Sequence, residues 1–68
     1  MQKLKMIALF DEEIYDSGFE RPLWLSICTE SETGPCISRL HKFIERFRSE
    51  SEFRNEIRLH VDVCEITL

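Results

Sequence analysis

The stretch PCISRLHKFIERF, residues 35–47, decides the fold of this chain, because it carries the clearest periodicity in the sequence. At about 100° per residue, its apolar side chains fall within an arc of about 120°, which is typical of a helix packed on a core. These side chains are Cys36, Ile37, Leu40, Phe43, Ile44 and Phe47. Pro35 suits the first helical position, where its missing N–H costs nothing. The stretch therefore predicts an amphipathic helix.

Three other stretches have the character of β-strands. Lys3–Phe10 (KLKMIALF) alternates and then becomes continuously apolar, while Pro22–Thr29 (PLWLSICT) and Glu56–Leu68 (EIRLHVDVCEITL) alternate throughout. In the second strand, one face is formed by Leu23, Leu25 and Ile27, and the other by Trp24, Ser26 and Cys28. A continuously apolar run such as the one in the first strand is typical of a strand that is buried on both faces.

The order of elements is strand, connection, strand, helix, strand, within a single domain over residues 1–68. This order predicts an α/β protein, with a small α+β fold as the alternative, in which one helix covers one face of a three-stranded sheet. The last three elements are expected to form a right-handed β-α-β crossover between parallel strands. The direction of the first strand and the order of the strands stay open.

Composition and charge limit the classes of function. The chain is 43% hydrophobic with two glycines and two prolines, which indicates a folded domain. Its net charge of −4 argues against nucleic acid or an anionic membrane as the main ligand. With no secretory signal pattern and no apolar run long enough to span a bilayer, we expect a cytoplasmic protein. Three cysteines do not make a secreted disulfide framework, so we expect free thiols and no cofactor.

The face of the sheet that the helix leaves uncovered is the main indication of function. A domain of this size buries only about 60% of the surface of its unfolded chain and gains stability from a partner. We expect Leu23 and Leu25 to point toward the helix and Trp24 to lie on the uncovered face. The connection, Asp11–Arg21, adds three apolar side chains to the predicted interface: Ile14, Tyr15 and Phe19. Either this connection folds over the face and hides it, or a second copy or a protein partner covers it.

Cys36 is the candidate for chemistry. The stretches LWLSIC, TGPC, CISRLHKFIERF and EIRLHVDV resemble, in that order, the active-site region of thioredoxin-fold proteins over roughly the second half of the chain. Thr33 stands where that family has its attacking cysteine. The resemblance implies a thiol-dependent redox protein that uses Cys36, whose thiol would face the positive end of a helix dipole. The competing interpretation is that Cys36 is a small apolar residue at the start of the buried helical stripe.

Charged residues are segregated along the sequence. An acidic group in the connection predicts a docking surface and consists of Asp11, Glu12, Glu13, Asp16 and Glu20. A basic ridge on the outer side of the helix consists of Arg39, Lys42 and Arg46. Charged residues on two solvent-exposed faces that bind no partner would give the same pattern. No pair of cysteines or histidines has the close spacing of a structural zinc site, so no metal is expected.

These observations favour a small acidic regulatory protein that is not an enzyme and that acts by occupying the surface of a protein partner. An inhibitor, an adaptor and an antitoxin all fit this description, and the sequence favours a homodimer formed through the second face of the sheet. The alternative is the thiol-dependent redox protein that uses Cys36.

Overall fold

The computed structural model describes residues 3–13 and 21–67. Its strands are β1 (Lys3–Asp11), β2 (Trp24–Thr29) and β3 (Leu59–Thr67), and its helix is α1 (Thr33–Ser49). Two short 3-10 turns flank the helix, at Glu30–Glu32 and Glu52–Glu56. The helix begins two residues before Pro35, which still lies in the first turn, where its lack of an N–H is harmless.

The sheet has the strand order β2-β1-β3, and β1 is antiparallel to both of its neighbours. β2 and β3 therefore run in the same direction, and the chain crosses from one to the other through α1. The predicted helix, three-stranded sheet and β-α-β crossover are confirmed. The two parallel strands are separated by β1, so every hydrogen-bonded pair is antiparallel and the fold is a small α+β fold.

The continuously apolar part of β1 is the centre of the sheet. Ile7, Ala8, Leu9 and Phe10 are all buried, and Leu9 has no exposed surface. A middle strand has neighbours at both edges, so its side chains are sheltered on both faces by those of the flanking strands. This burial explains why the alternation that marks β2 and β3 is absent from the second half of β1.

The helix packs on one face of the sheet, here called the helix side. Its core consists of buried Ile7, Leu9, Cys28, Cys36 and Leu40. Packed against this core are the partly buried side chains of Trp24, Phe43, Ile44 and Leu59. The ring of Phe43 also stacks on that of Phe47, with centroids 6.2 Å apart. The helical stripe is narrower than its sequence predicts, since Ile37 is 41% exposed.

The prediction that Trp24 lies on the face away from the helix is wrong. Trp24 pairs with Leu9 across the β1–β2 ladder, and both side chains belong to the helix side. Leu23 and Leu25 are correspondingly on the opposite face. The row of β2 that faces α1 therefore consists of Trp24, Ser26 and Cys28.

Side chains hold the short turns on either side of α1. In the 3-10 turn before the helix, the Glu32 carboxylate accepts hydrogen bonds from the Thr29 hydroxyl (2.7 Å) and the Thr29 backbone N–H (3.1 Å), and these bonds lower the pKa of Glu32. At the end, Arg48 donates to the carbonyl oxygens of Arg54 and Asn55, both at 3.2 Å. The guanidinium of Arg54 lies 4.5 Å from the centre of the Phe47 ring. These contacts fix the direction in which the chain enters β3.

Candidate protein-binding surface

A row of exposed apolar side chains runs along β2 and the residue before it, on the face opposite the helix. Leu23 is 37% exposed, Leu25 is 50% exposed and Ile27 is 56% exposed. Side chains two positions apart in a strand point to the same face, so Leu25 and Ile27 share one face. Leu23, two positions before Leu25, adjoins them, and the three side chains are here called the β2 row. No element within residues 3–13 or 21–67 packs on this row. Adjoining apolar side chains of this kind mark interaction sites more often than scattered ones do.

A second exposed apolar strip lies on the helix side of β3. Val61 pairs with Leu9 and Val63 pairs with Ile7, so both valines share the face on which the core lies. They are nevertheless 44% and 57% exposed. The helix contacts β2 and leaves this part of the sheet uncovered. Alternation along β3 alone puts both valines on one face, but it does not show that a single helix leaves them open.

The three thiols occupy two different environments. Cys28 and Cys36 are buried in the core and Cys64 is exposed. Burial raises the pKa of the Cys28 thiol above its ordinary value of 9.0 and the neighbouring Cys36 thiol raises it further, while the Thr33 hydroxyl acts in the opposite direction. A reactive cysteine needs access to solvent and a stabilised thiolate. Cys36 has no exposed surface, so it occupies the position that the apolar interpretation of the helical stripe predicts.

We expect alkylation of the native protein to modify one thiol, Cys64, and alkylation in denaturant to modify all three. Intact-mass measurement after a short exposure to iodoacetamide shows whether one thiol or three thiols have been modified. Fast modification of Cys36 in the native protein would contradict its burial and would restore the redox alternative.

The raised pKa of Cys28 predicts a loss of stability in alkaline solution. The folded state favours the neutral thiol, so this contribution is fully present below the ordinary pKa of 9.0 and is lost as the pH rises above it. The melting temperature should fall as the pH passes 9, and it should fall less in Cys28→Ala, in which this group is absent. An equal fall in both proteins would show that other groups cause the loss.

Three residues of the predicted acidic group, Asp11, Glu12 and Glu13, line one pocket. The rest of its lining is Phe53, Glu56, Ile57 and Arg58, and the Arg58 guanidinium lies 3.9 Å from the Glu12 carboxylate. Asp11 also accepts a hydrogen bond from the Glu13 N–H at 3.0 Å, as a helix cap does. The predicted residues Ile14, Tyr15, Asp16, Phe19 and Glu20 lie outside the described residues. The contribution of Glu56 could not be read from the sequence, where it stands far from the acidic group.

The predicted basic ridge is exposed along its whole length. Arg39, Lys42 and Arg46 all lie on the solvent side of α1. Within the described part of the chain, no group of three or more His, Cys, Asp or Glu side chains is placed to hold a metal ion. No helix in that same part is both long and apolar enough to cross a membrane.

Comparison with known proteins gives no relative from which a function could be transferred. No protein-family model, no curated protein and no solved structure matches the chain.

Proposed function

We propose that this chain is a small cytoplasmic protein-binding module, with no catalytic role, which regulates a partner by covering part of the partner's surface. The observation that supports the proposal is the β2 row, in which three adjoining large apolar side chains are 37–56% exposed. Burial of these side chains against a partner would lower the free energy of the complex. An inhibitor, an adaptor or an antitoxin would use such a surface in the same way.

Charge indicates the kind of partner. The chain carries a net charge of −4, and four acidic residues, Asp11, Glu12, Glu13 and Glu56, line one pocket together with Arg58. Complementary charge speeds association and discriminates against wrong partners more than it adds affinity. The partner that fits is a protein with an apolar strip for the β2 row and a net positive charge.

The burial of Cys36 disfavours the redox alternative. A thiol that exchanges with a substrate must be reached by that substrate, whereas Cys36 has no exposed surface and lies beside Cys28 and Leu40 in the core. Cys64 is accessible, but exposure alone does not make a thiol a redox centre.

A matched pair of substitutions tests the β2 row. Ile27→Lys and Ile37→Lys make the same change at residues that are 56% and 41% exposed, the first in the row and the second on the helix. Each tagged variant and the wild type are used to capture proteins from the native host. We expect one protein to bind the wild type and Ile37→Lys but not Ile27→Lys. Equal capture by all three, or equal loss in both variants, would contradict the proposal.

A further inference from the structure

Two thiols face each other across the contact between β2 and α1. Cys28 is the next-to-last residue of β2 and lies in the row of that strand that faces the helix. Cys36 is the fourth residue of α1 and belongs to the same core. The two residues are 4% and 0% exposed, and their thiols make a hydrogen-bonding contact with each other.

The connection between the two cysteines is short and held by hydrogen bonds. It contains the 3-10 turn Glu30–Glu32, in which the Glu32 carboxylate accepts hydrogen bonds from the Thr29 hydroxyl and N–H. A disulfide needs Cα atoms about 5.5–6 Å apart and side chains that point toward each other. Two short side chains that already touch across facing elements meet this need by rotating, while the backbone of the strand and helix keeps its arrangement.

We propose that Cys28 and Cys36 form a site of reversible oxidation, at which hydrogen peroxide joins them by a disulfide that ties the start of α1 to the end of β2. This inference goes beyond the proposed function, because the site lies on the face of the sheet opposite the β2 row and neither sulfur exchanges with a protein substrate. In a reducing compartment the pair stays as two thiols, since disulfides persist under oxidising conditions.

The reaction consumes two thiols and one peroxide. The sulfur of one thiolate attacks a peroxide oxygen and breaks the O–O bond, which gives a sulfenic acid and a hydroxide that takes up the proton of that thiol as water. The second sulfur then attacks the sulfenic sulfur, the S–O bond breaks, and the oxygen leaves with the second thiol proton as another water. The sulfur pair loses two electrons to the peroxide, and a dithiol reductant restores both thiols by exchange.

Burial makes this pair slow to react. The raised pKa of the Cys28 thiol keeps its thiolate scarce at neutral pH, and the thiolate is the reactive form. Hydrogen peroxide is nearly as small as water and reaches the pair when the first turn of α1 opens locally. We therefore expect the pair to escape a short exposure to the larger iodoacetamide and to be oxidised during a longer exposure to peroxide.

Cys64→Ser is the protein for the test, because it removes the exposed thiol and keeps the buried pair. The folded variant is incubated with hydrogen peroxide, freed of peroxide, unfolded in denaturant with iodoacetamide and measured by intact mass. We expect a monomer that has lost two hydrogen atoms and binds no iodoacetamide. Treatment with dithiothreitol before the alkylation should return a protein that binds two.

Cys28→Ala is the matched control, since it also keeps two thiols but at positions that the fold holds apart. Its Cys36 lies in the core, whereas Cys64 alternates with Val63 along β3 and so lies on the face away from the helix. The folded control should form no internal disulfide. In denaturant both variants should form one, because an unfolded chain brings either pair together. Cys36→Ala is a second control of the same kind, and circular dichroism checks that each variant is folded.

The disulfide should also stabilise the fold. It closes the loop of residues 28–36 and so restricts the unfolded chain, which should raise the melting temperature of Cys64→Ser by about 10 °C over that of its reduced form. The rise should disappear after reduction.

Three results would overturn the inference. The first is a folded Cys64→Ser that keeps both thiols, or carries only sulfinic or sulfonic acid, after the long exposure to peroxide. The second is an internal disulfide that forms equally well in folded Cys28→Ala, which would mean that the fold does not select the pair. The third is an oxidised protein that melts below its reduced form, which would mean that the folded arrangement does not accommodate the bond. Host-protein capture reads the opposite face of the sheet, so the two proposals can fail separately.

Discussion

Leu9→Ala is expected to lower the free energy of unfolding by about 2–5 kcal/mol, which is the range for truncation of a fully buried leucine. Leu9 has no exposed surface and lies in the middle strand, paired with Trp24 on one side and Val61 on the other. A domain of 68 residues has a total stability of roughly 3–10 kcal/mol. The substitution therefore removes a large part of the stability, and at the low end of that range it unfolds the protein at room temperature.

Thermal melting followed by circular dichroism measures this effect. For a domain of this size, each 1 kcal/mol corresponds to a shift in melting temperature of about 4–8 °C. Leu25→Ala is the matched control, since it truncates a leucine that is 50% exposed and should shift the melting temperature far less. Equal shifts for the two variants would mean that Leu9 does not lie at the centre of the core.

The periodicity of the sequence was enough to predict the helix, the three strands and the crossover. The order of the strands was not predictable from alternation alone, although β1 carries a signal of its central place. Its apolar run from Met6 to Phe10 indicates burial on both faces, and a middle strand between two edge strands meets that requirement. Antiparallel pairing of β1 with both neighbours follows from three-dimensional packing, which a local pattern does not contain.

The choice of face on β2 could not be made from hydrophobicity. One row of β2 carries leucine and isoleucine, and the other carries tryptophan and cysteine. Either row is apolar enough to pack in a core. What decides between them is the fit of one side of the strand to the helix, where Cys28 lies beside Cys36 in the core. That contact joins residues on two elements and is invisible in either element alone.

The sequence predicted some features of the candidate surfaces and not others, because the exposure of a side chain depends on how the elements pack together. That one helix leaves apolar sheet surface exposed follows from counting elements, and the β2 row confirms it. Which residues form that surface depends on the face of β2 and on the lateral position of the helix. The exposure of Val61 and Val63 depends on α1 lying toward β2, and the pocket combines Glu56 with Asp11, Glu12 and Glu13 from a distant part of the chain, so only the fold could show them.

Trp24→Glu and Leu25→Glu make the same change at adjacent residues and should give opposite results. Trp24 packs on the helix-side core, so Trp24→Glu places an unpaired carboxylate against Leu9 and its neighbours. We expect a loss of about 3 kcal/mol or more, as for truncation of a large core aromatic with a buried charge added. Leu25→Glu places its carboxylate on the exposed row, so stability should change by about 0.5 kcal/mol or less, while capture of a protein partner should be lost.

Circular dichroism melts at one protein concentration compare the two variants with the wild type. The equal concentration keeps any self-association of the protein the same in all samples, since association makes a melting temperature depend on concentration. Cooperative melting near the wild-type temperature in Leu25→Glu, together with its loss in Trp24→Glu, would establish which side of β2 faces the helix. The reverse pattern would mean that the leucine row forms the core and that Trp24 lies on the open surface, and the β2 row would then no longer be the binding site.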